Sequence, residues 1–163
     1  MLIRVVAIGR LKAGPERDLV RRYEERAVAL GRRSGFAGPD IVELVESRAR
    51  RNDDRMADEA ARIRERAEGA AIICLDERGP PRTSESFAAG LSQARDVGRT
   101  ATVFVIGGPD GLDPAFRDAC DALLSFGALT LPHGIVRVLL LEQIYRAFTI
   151  ICGHPYHRAG GGA

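Results

Sequence analysis

The chain has 163 residues, 45% of them hydrophobic and 28% charged, which suits one solvated domain with a real core and leaves little room for a second. Its formal net charge of +2 is too close to zero to indicate a partner class. No run approaches the roughly 18 uninterrupted apolar residues of a membrane span, so no membrane-spanning helix is expected.

The first segment, Met1-Leu2-Ile3-Arg4-Val5-Val6-Ala7-Ile8-Gly9, resembles a short signal peptide only superficially. Arg4 interrupts the apolar run, and Arg10 and Lys12 follow it, so a strand over residues 2–9 and a cytoplasmic protein are expected. Leu19, Val20, Tyr23, Ala27 and Leu30 recur at helical spacing from Pro15 to Leu30, and Gly31 to Gly35 end that helix. A loop from Gly35 to Asp40 leads to a second strand over Ile41 to Val45. Residues 46–52 read as a polar, basic loop, and Asp53 or Asp54 is placed to cap a helix through Ala67. Ala70 to Leu75 form a buried strand, Asp76 to Arg82 a loop, and Thr83 or Ser84 caps a helix to Val97. Thr100 to Ile106 is a further buried strand, followed by a glycine loop and a helix capped by Asp113 with Pro114 at its first position. A short strand or extended piece over Leu129-Thr130-Leu131 and a long apolar helix from Gly134 to Cys152 complete the order. Alternating strands and helices imply an α/β domain with a mainly parallel sheet and helices on both faces. That domain spans residues 1–158, with 159–163 as a mobile Gly-rich tail.

Cys74, Cys120 and Cys152 are an odd number in apolar settings, which favours buried free thiols over disulfides. Lys12 is the sole lysine, and every other basic residue is arginine. Arginine suits phosphate binding and base stacking, but a GC-rich genome explains the bias equally well.

Three segments carry chemistry. In Val103-Phe104-Val105-Ile106-Gly107-Gly108-Pro109-Asp110-Gly111, a buried strand runs into glycines that let a ligand approach the backbone. An ordinary tight turn is the alternative; the lack of G-x-G-x-x-G and of a P-loop lysine disfavours dinucleotides and triphosphates. In Ser125 to His133, free backbone amides suit an adenine pocket, and a plain strand with a proline turn fits as well. His154-Pro155-Tyr156-His157-Arg158 gathers proton-handling, stacking and phosphate-binding groups, or else is a solvated terminus. His154-x-x-His157 supplies too few ligands for a zinc site, and no metal is expected. The helix after His133 is apolar on nearly every side, so it is either central to one subunit or covered by a partner chain. Glu142 and Arg146 lie one turn apart on it, as an ion pair would.

Taken in order, Ile106 to Gly111, Leu129 to His133, Arg137-Val138, Glu142 to Ala147 and His154 to Arg158 resemble the ribosomal RNA large subunit methyltransferase H family, of the SPOUT class. The likeness is specific over the last third and looser through Val5 to Gly9, Tyr23 and Leu75 to Gly79. It implies a C-terminal trefoil knot, a homodimer, and S-adenosylmethionine as methyl donor to N3 of a pseudouridine in 23S ribosomal RNA on the assembled ribosome. It implies cofactor contacts at Leu75, Gly107, Gly108, Gly127, Ala128, Leu129, Thr130, Leu131 and Pro132. His133, Glu142, Arg146, Tyr156, His157 and Arg158 would face the RNA or the transferred methyl group. The target N3 carries a proton that must leave, and His157, then His133, is the expected general base. Tyr156 would stack on the base and Arg158 would hold a phosphate. Two departures from the family pattern are Ala159 to Ala163 beyond the terminal arginine and a glycine, Gly127, where relatives often have serine.

Overall fold

The computed structural model describes residues 1–156. His157, Arg158 and the tail expected over 159–163 lie outside the described residues. Five strands, β1 (Leu2–Ile8), β2 (Ala37–Leu44), β3 (Ala71–Leu75), β4 (Ala101–Ile106) and β5 (Ala122–Leu124), form one parallel sheet in the order β2-β1-β4-β3-β5. The helices are α1 (Pro15–Gly31), α2 (Asn52–Arg66), α3 (Ser84–Asp96), α4 (Pro114–Asp118) and α5 (His133–Ile151).

A parallel strand covered on both faces must be apolar along its whole length. β1 meets that demand except at Arg4, which pairs with Asp40: Ile3, Val5 and Ala7 pack on one face and Val6 and Ile8 on the other, all 0% exposed. Phe104 and Ile106 follow the first set, and Val103, Val105 and Cys74 the second. α1, α3 and α5 cover the first face through Val20, Ala27, Leu30, Phe87, Leu91 and Leu140. α2 and α4 cover the second through Ala60, Ile63 and Phe116. The expected α/β architecture with helices on both faces is therefore observed.

Local details differ from the sequence expectations in four places. β2 begins at Ala37, inside the expected loop, because Gly38-Pro39 sits at a shift in the pairing with β1 on an edge strand, where proline is tolerated. A Cβ at Gly38 would lie 2.3 Å from the Ile3 carbonyl oxygen, so only glycine fits there. α2 starts at Asn52 with no side-chain cap, and Asp53 and Asp54 lie within its first turn, where the helix dipole favours them. The last strand is Ala122–Leu124, not Leu129 to Leu131; α4 is only five residues long, so the chain re-enters the sheet early. Cys152 is exposed, its sulfur 2.6 Å from the Ser34 hydroxyl, while Cys74 is buried. The caps at Thr83 and Asp113 form as expected, accepting from the amides of Ser86 and Phe116.

α5 is central to its own subunit. Leu140, Leu141, Ile144, Ala147 and Phe148 are all 0% exposed against α1, α3 and the sheet. Intrachain packing thus supplies most of the cover that the apolar sequence demands. Among the described residues one cation is fully buried: Arg137 is 1% exposed, pairs with Glu43 and donates to the Gly9 carbonyl at 3.1 Å. Glu43 also accepts from the Leu11 amide at 3.0 Å. Among the described residues, no helix is long and apolar enough to cross a membrane.

Removing the Glu43 carboxylate leaves the buried Arg137 guanidinium without its counter-charge. Glu43→Leu should therefore lower unfolding stability by about 3–5 kcal/mol in urea titration, and Glu43→Leu with Arg137→Met should recover much of the loss.

Candidate active site

Register brings the site together. Ile106 pairs with Ala7 and with Leu75, and Leu75 pairs with Leu124, so β4, β3 and β5 end side by side. The loops that leave these three ends enclose a cleft of about 220 Å³ at the carboxyl edge of the sheet, where ligands of open α/β sheets bind. Leu75, Gly107, Gly108, Gly127, Leu129, Thr130 and Leu131 line it, all among the expected cofactor contacts. Ala128 and Pro132 are not among its lining residues. His133, the first residue of α5, joins the lining at the helix N-terminus, as does Val136.

The glycine wall needs its missing side chains. A Cβ at Gly107 would lie 3.0 Å from the Gly111 backbone and from Leu112, and one at Gly108 would lie 2.9 Å from Ile8 and 3.1 Å from a Glu59 carboxylate oxygen. The loop is thus seated hard on β1 and α2. Glu59 is itself buried and accepts from the Ser47 amide at 2.8 Å. Arg55, one turn before Glu59, grips Asp110 with Nε to Oδ2 at 2.7 Å and Nη2 to Oδ1 at 3.1 Å. Arg55 holds the Asp110 carboxyl below its ordinary range through that hydrogen bond and the opposite charge.

The opposite wall is shaped by a hydroxyl turn. Ser125 is buried, accepts from the Gly127 amide at 3.0 Å and donates to the Gly127 carbonyl at 2.9 Å. The amides of residues 128–131 make no hydrogen bond to other described residues and are available to a ligand edge. Asp76 and Glu77 bring two carboxylates to the rim.

The other expected residues form a second cluster. Arg146 pairs with Glu142, and Tyr156 donates to the same Glu142 oxygen at 3.1 Å. The Arg146 guanidinium lies 5.0 Å from the Tyr156 ring centroid, and the Tyr145 ring lies 4.7 Å from it. Gln143 donates to Glu142 at 2.6 Å and accepts from Ser84 at 2.8 Å, extending the network to the start of α3. Burial, and then the Glu142 charge, push the Tyr156 phenol up to about 12. At 1.5 Å per residue, Glu142 and Arg146 stand about 13 and about 20 Å along α5 from His133. One chain therefore does not bring its Tyr156 cluster to its own cleft.

Sequence reasoning passed over Asp76, Glu77, Arg55 and Glu59 as site residues, and took Ser125 only as the start of a candidate segment. Glu59 had a signal, a carboxylate beside Ala60 and Ile63 on the apolar stripe of α2. Ser125-x-Gly127 is a recognisable hydroxyl turn. Arg55 carried none, because its partner lies 55 residues away.

Two outcomes follow from this geometry. Gly108→Ala should force the glycine loop off Ile8 and Glu59 and lower stability by about 1–3 kcal/mol, read in thermal unfolding. Tyr156 binds its proton more tightly folded than unfolded, where the phenol titrates near 10. Stability should then fall as pH rises from 10 toward 12, and Tyr156→Phe should remove that slope in melts across the range.

The family model described as "Predicted SPOUT methyltransferase" matches residues 1–157. Among curated proteins, the Ribosomal RNA large subunit methyltransferase H of Methylorubrum extorquens (strain PA1) is 56% identical over 160 residues, covering 97% of each chain. That of Rhodopseudomonas palustris (strain BisB5) is 56% identical over 160 residues, covering 98% of this chain and 100% of its own. Among solved structures, a probable methyltransferase from Bordetella pertussis Tohama I superposes with a TM-score of 0.50 at 16% identity, over 90% of this chain and 95% of that one. A probable methylase family protein from Haemophilus influenzae Rd KW20 gives 0.51 at 12% identity, over 96% of this chain and 70% of that one, and these two likenesses speak to the fold alone. The chain belongs to the SPOUT methyltransferase family, among the ribosomal RNA large subunit methyltransferases H.

Proposed function

We propose that this protein methylates N3 of a pseudouridine in 23S ribosomal RNA on the assembled ribosome, using S-adenosylmethionine and acting as a knotted homodimer. The observation that carries the reading is the cleft at the ends of β3, β4 and β5, set in a chain 56% identical over nearly its whole length to proteins named for ribosomal RNA methylation.

The cleft fits the donor. Leu75, Leu129 and Leu131 offer apolar contact to a purine, and the unpaired amides of residues 128–131 can bond its edge. Asp76 and Glu77 suit ribose hydroxyls and an ammonium group. Gly107 and Gly108 line the cleft, and their missing side chains let that wall seat against Leu112, Ile8 and Glu59. When bound, S-adenosylmethionine supplies a sulfonium methyl group to a nucleophile.

The chain's own residues then handle the proton and the RNA. His133 is the imidazole that lines the cleft and can accept the N3 proton; His157 is the second such group in the proposal. Arg146 and Arg158 hold phosphates, and Tyr156 stacks on a base. Ala128 and Pro132 shape the loop between Gly127 and His133, while Glu142 sets Arg146 and Tyr156.

Because the Tyr156 cluster stands far along α5 from its own cleft, the proposed site is completed by a second copy. Leu129, Ile135 and Leu139 are 78%, 38% and 36% exposed near the cleft end of α5, and they supply an apolar contact. The knot and the use of the assembled ribosome follow from the family likeness.

Mass mapping of 23S ribosomal RNA from a deletion strain should show one pseudouridine lacking a methyl group, restored by purified enzyme and S-adenosylmethionine. A chain truncated before His154 should still take up the cofactor in calorimetry and transfer nothing. Full activity of that truncation, or a purely monomeric protein in sedimentation at micromolar concentration, overturns the reading.

A further inference from the structure

The turn that walls the cleft is fixed from a helix outside it. Within Gly108-Pro109-Asp110-Gly111, the Gly111 amide donates to the Gly108 carbonyl at 3.0 Å. Proline at the second position and the absence of positive φ at Asp110 mark a type I turn. Its base is wedged against Ile8 and Glu59. Among the described residues its tip has one lateral tie, the bidentate pair of Asp110 with Arg55.

Arg55 comes to that pair already immobilised. Its Nη2 donates to Asn52 Oδ1 at 2.6 Å, and its Nη1 donates to the Ala49 and Arg50 carbonyls at 3.1 and 3.2 Å. A surface ion pair contributes little when two flexible chains must be ordered to make it. Here the fork is ordered beforehand by the start of α2, and both side chains are only 25% exposed. A planar guanidinium matches both oxygens of a carboxylate, which a lysine cannot do.

We propose that Arg55 is a positioning residue of the cofactor cleft, acting through Asp110 to hold the Gly108–Gly111 turn in the shape the ligand meets. Arg55 is not among the residues that line the cleft. It links the loop before α2 to the glycine wall, so the wall is preorganised before the ligand arrives. The inference rests on the reading that an S-adenosyl ligand occupies this cleft.

The test is calorimetric titration with S-adenosylhomocysteine of the full chain, Arg55→Met, Asp110→Ala and the double variant. Each single change should weaken binding by about tenfold, and the double variant should be no weaker than either single one, because both remove the same contact. Melting temperatures should stay near that of the unaltered chain. Asp110→Ala is decisive, since it leaves the contacts of Arg55 with residues 49–52 in place. Unchanged affinity in Asp110→Ala, or losses that add in the double variant, overturns the proposal. If the unaltered chain takes up no S-adenosylhomocysteine, the functional reading fails by itself. The brace is then decided by amide hydrogen exchange over residues 107–111, which should quicken in both single variants; unchanged protection overturns it.

Discussion

The buried Arg137 carries the constraint on which the rest depends. A guanidinium at 1% exposure is tolerable only with a counter-charge and acceptors within reach. Glu43 at the end of β2 and the Gly9 carbonyl just past β1 supply them. Both lie at the carboxyl edge of the sheet, so α5 is pinned there by its first turns. Burial pulls the Arg137 guanidinium below its ordinary range, and the Glu43 charge opposes that shift. The same Glu43 oxygen takes the Leu11 amide, which ties down the loop that leaves β1. With α5 anchored in this way, His133 and Val136 are held against the cleft, and residues 125–132 span the gap from β5 to the helix start.

A parallel sheet gathers the ends of its strands on one edge, and every loop there is a candidate wall. The register of β3, β4 and β5 brings three such loops together. What shapes them differs. The loop after β4 is held by close packing of glycines on Ile8 and Glu59, the one after β5 by the Ser125 hydroxyl folded over Gly127. α2, on the far face, reaches through to the first of these with Arg55 and Glu59. The two faces of the sheet are thereby coupled at its edge.

Much of this was legible from local patterns. Mostly apolar runs at residues 2–9 and 100–106 had to be covered strands, and Thr83 and Asp113 had to cap because their hydroxyl and carboxylate meet free amides of a helix start. The glycine loop and the histidine at the head of α5 could be picked out by residue type alone. Features set by distant contacts could not. Ala122–Leu124 is too short to show a period, and it becomes a strand because β3 offers it an unpaired edge. Gly38-Pro39 has turn chemistry yet lies within a strand, because the edge position leaves proline's missing donor without consequence. The apolar face of α5 raised the question of a partner chain, and α1, α3 and the sheet turn out to cover most of it.

The residues that the family likeness grouped as one site fall into two places on a single helix. His133 belongs to the cleft, and Glu142, Arg146 and Tyr156 to a network that reaches α3 through Gln143 and Ser84. Glu142 lies half-way along the helix and Arg146 one turn beyond it, and Tyr156 is held beside them by Glu142, Arg146 and Tyr145. Proximity in sequence therefore misleads here: the helix that links the two groups also separates them. In the proposed dimer this separation has a use, because a subunit alone holds a cofactor cleft without its RNA-facing tail. Transfer would then require two chains and a bound substrate together, while uptake of the methyl donor requires only one.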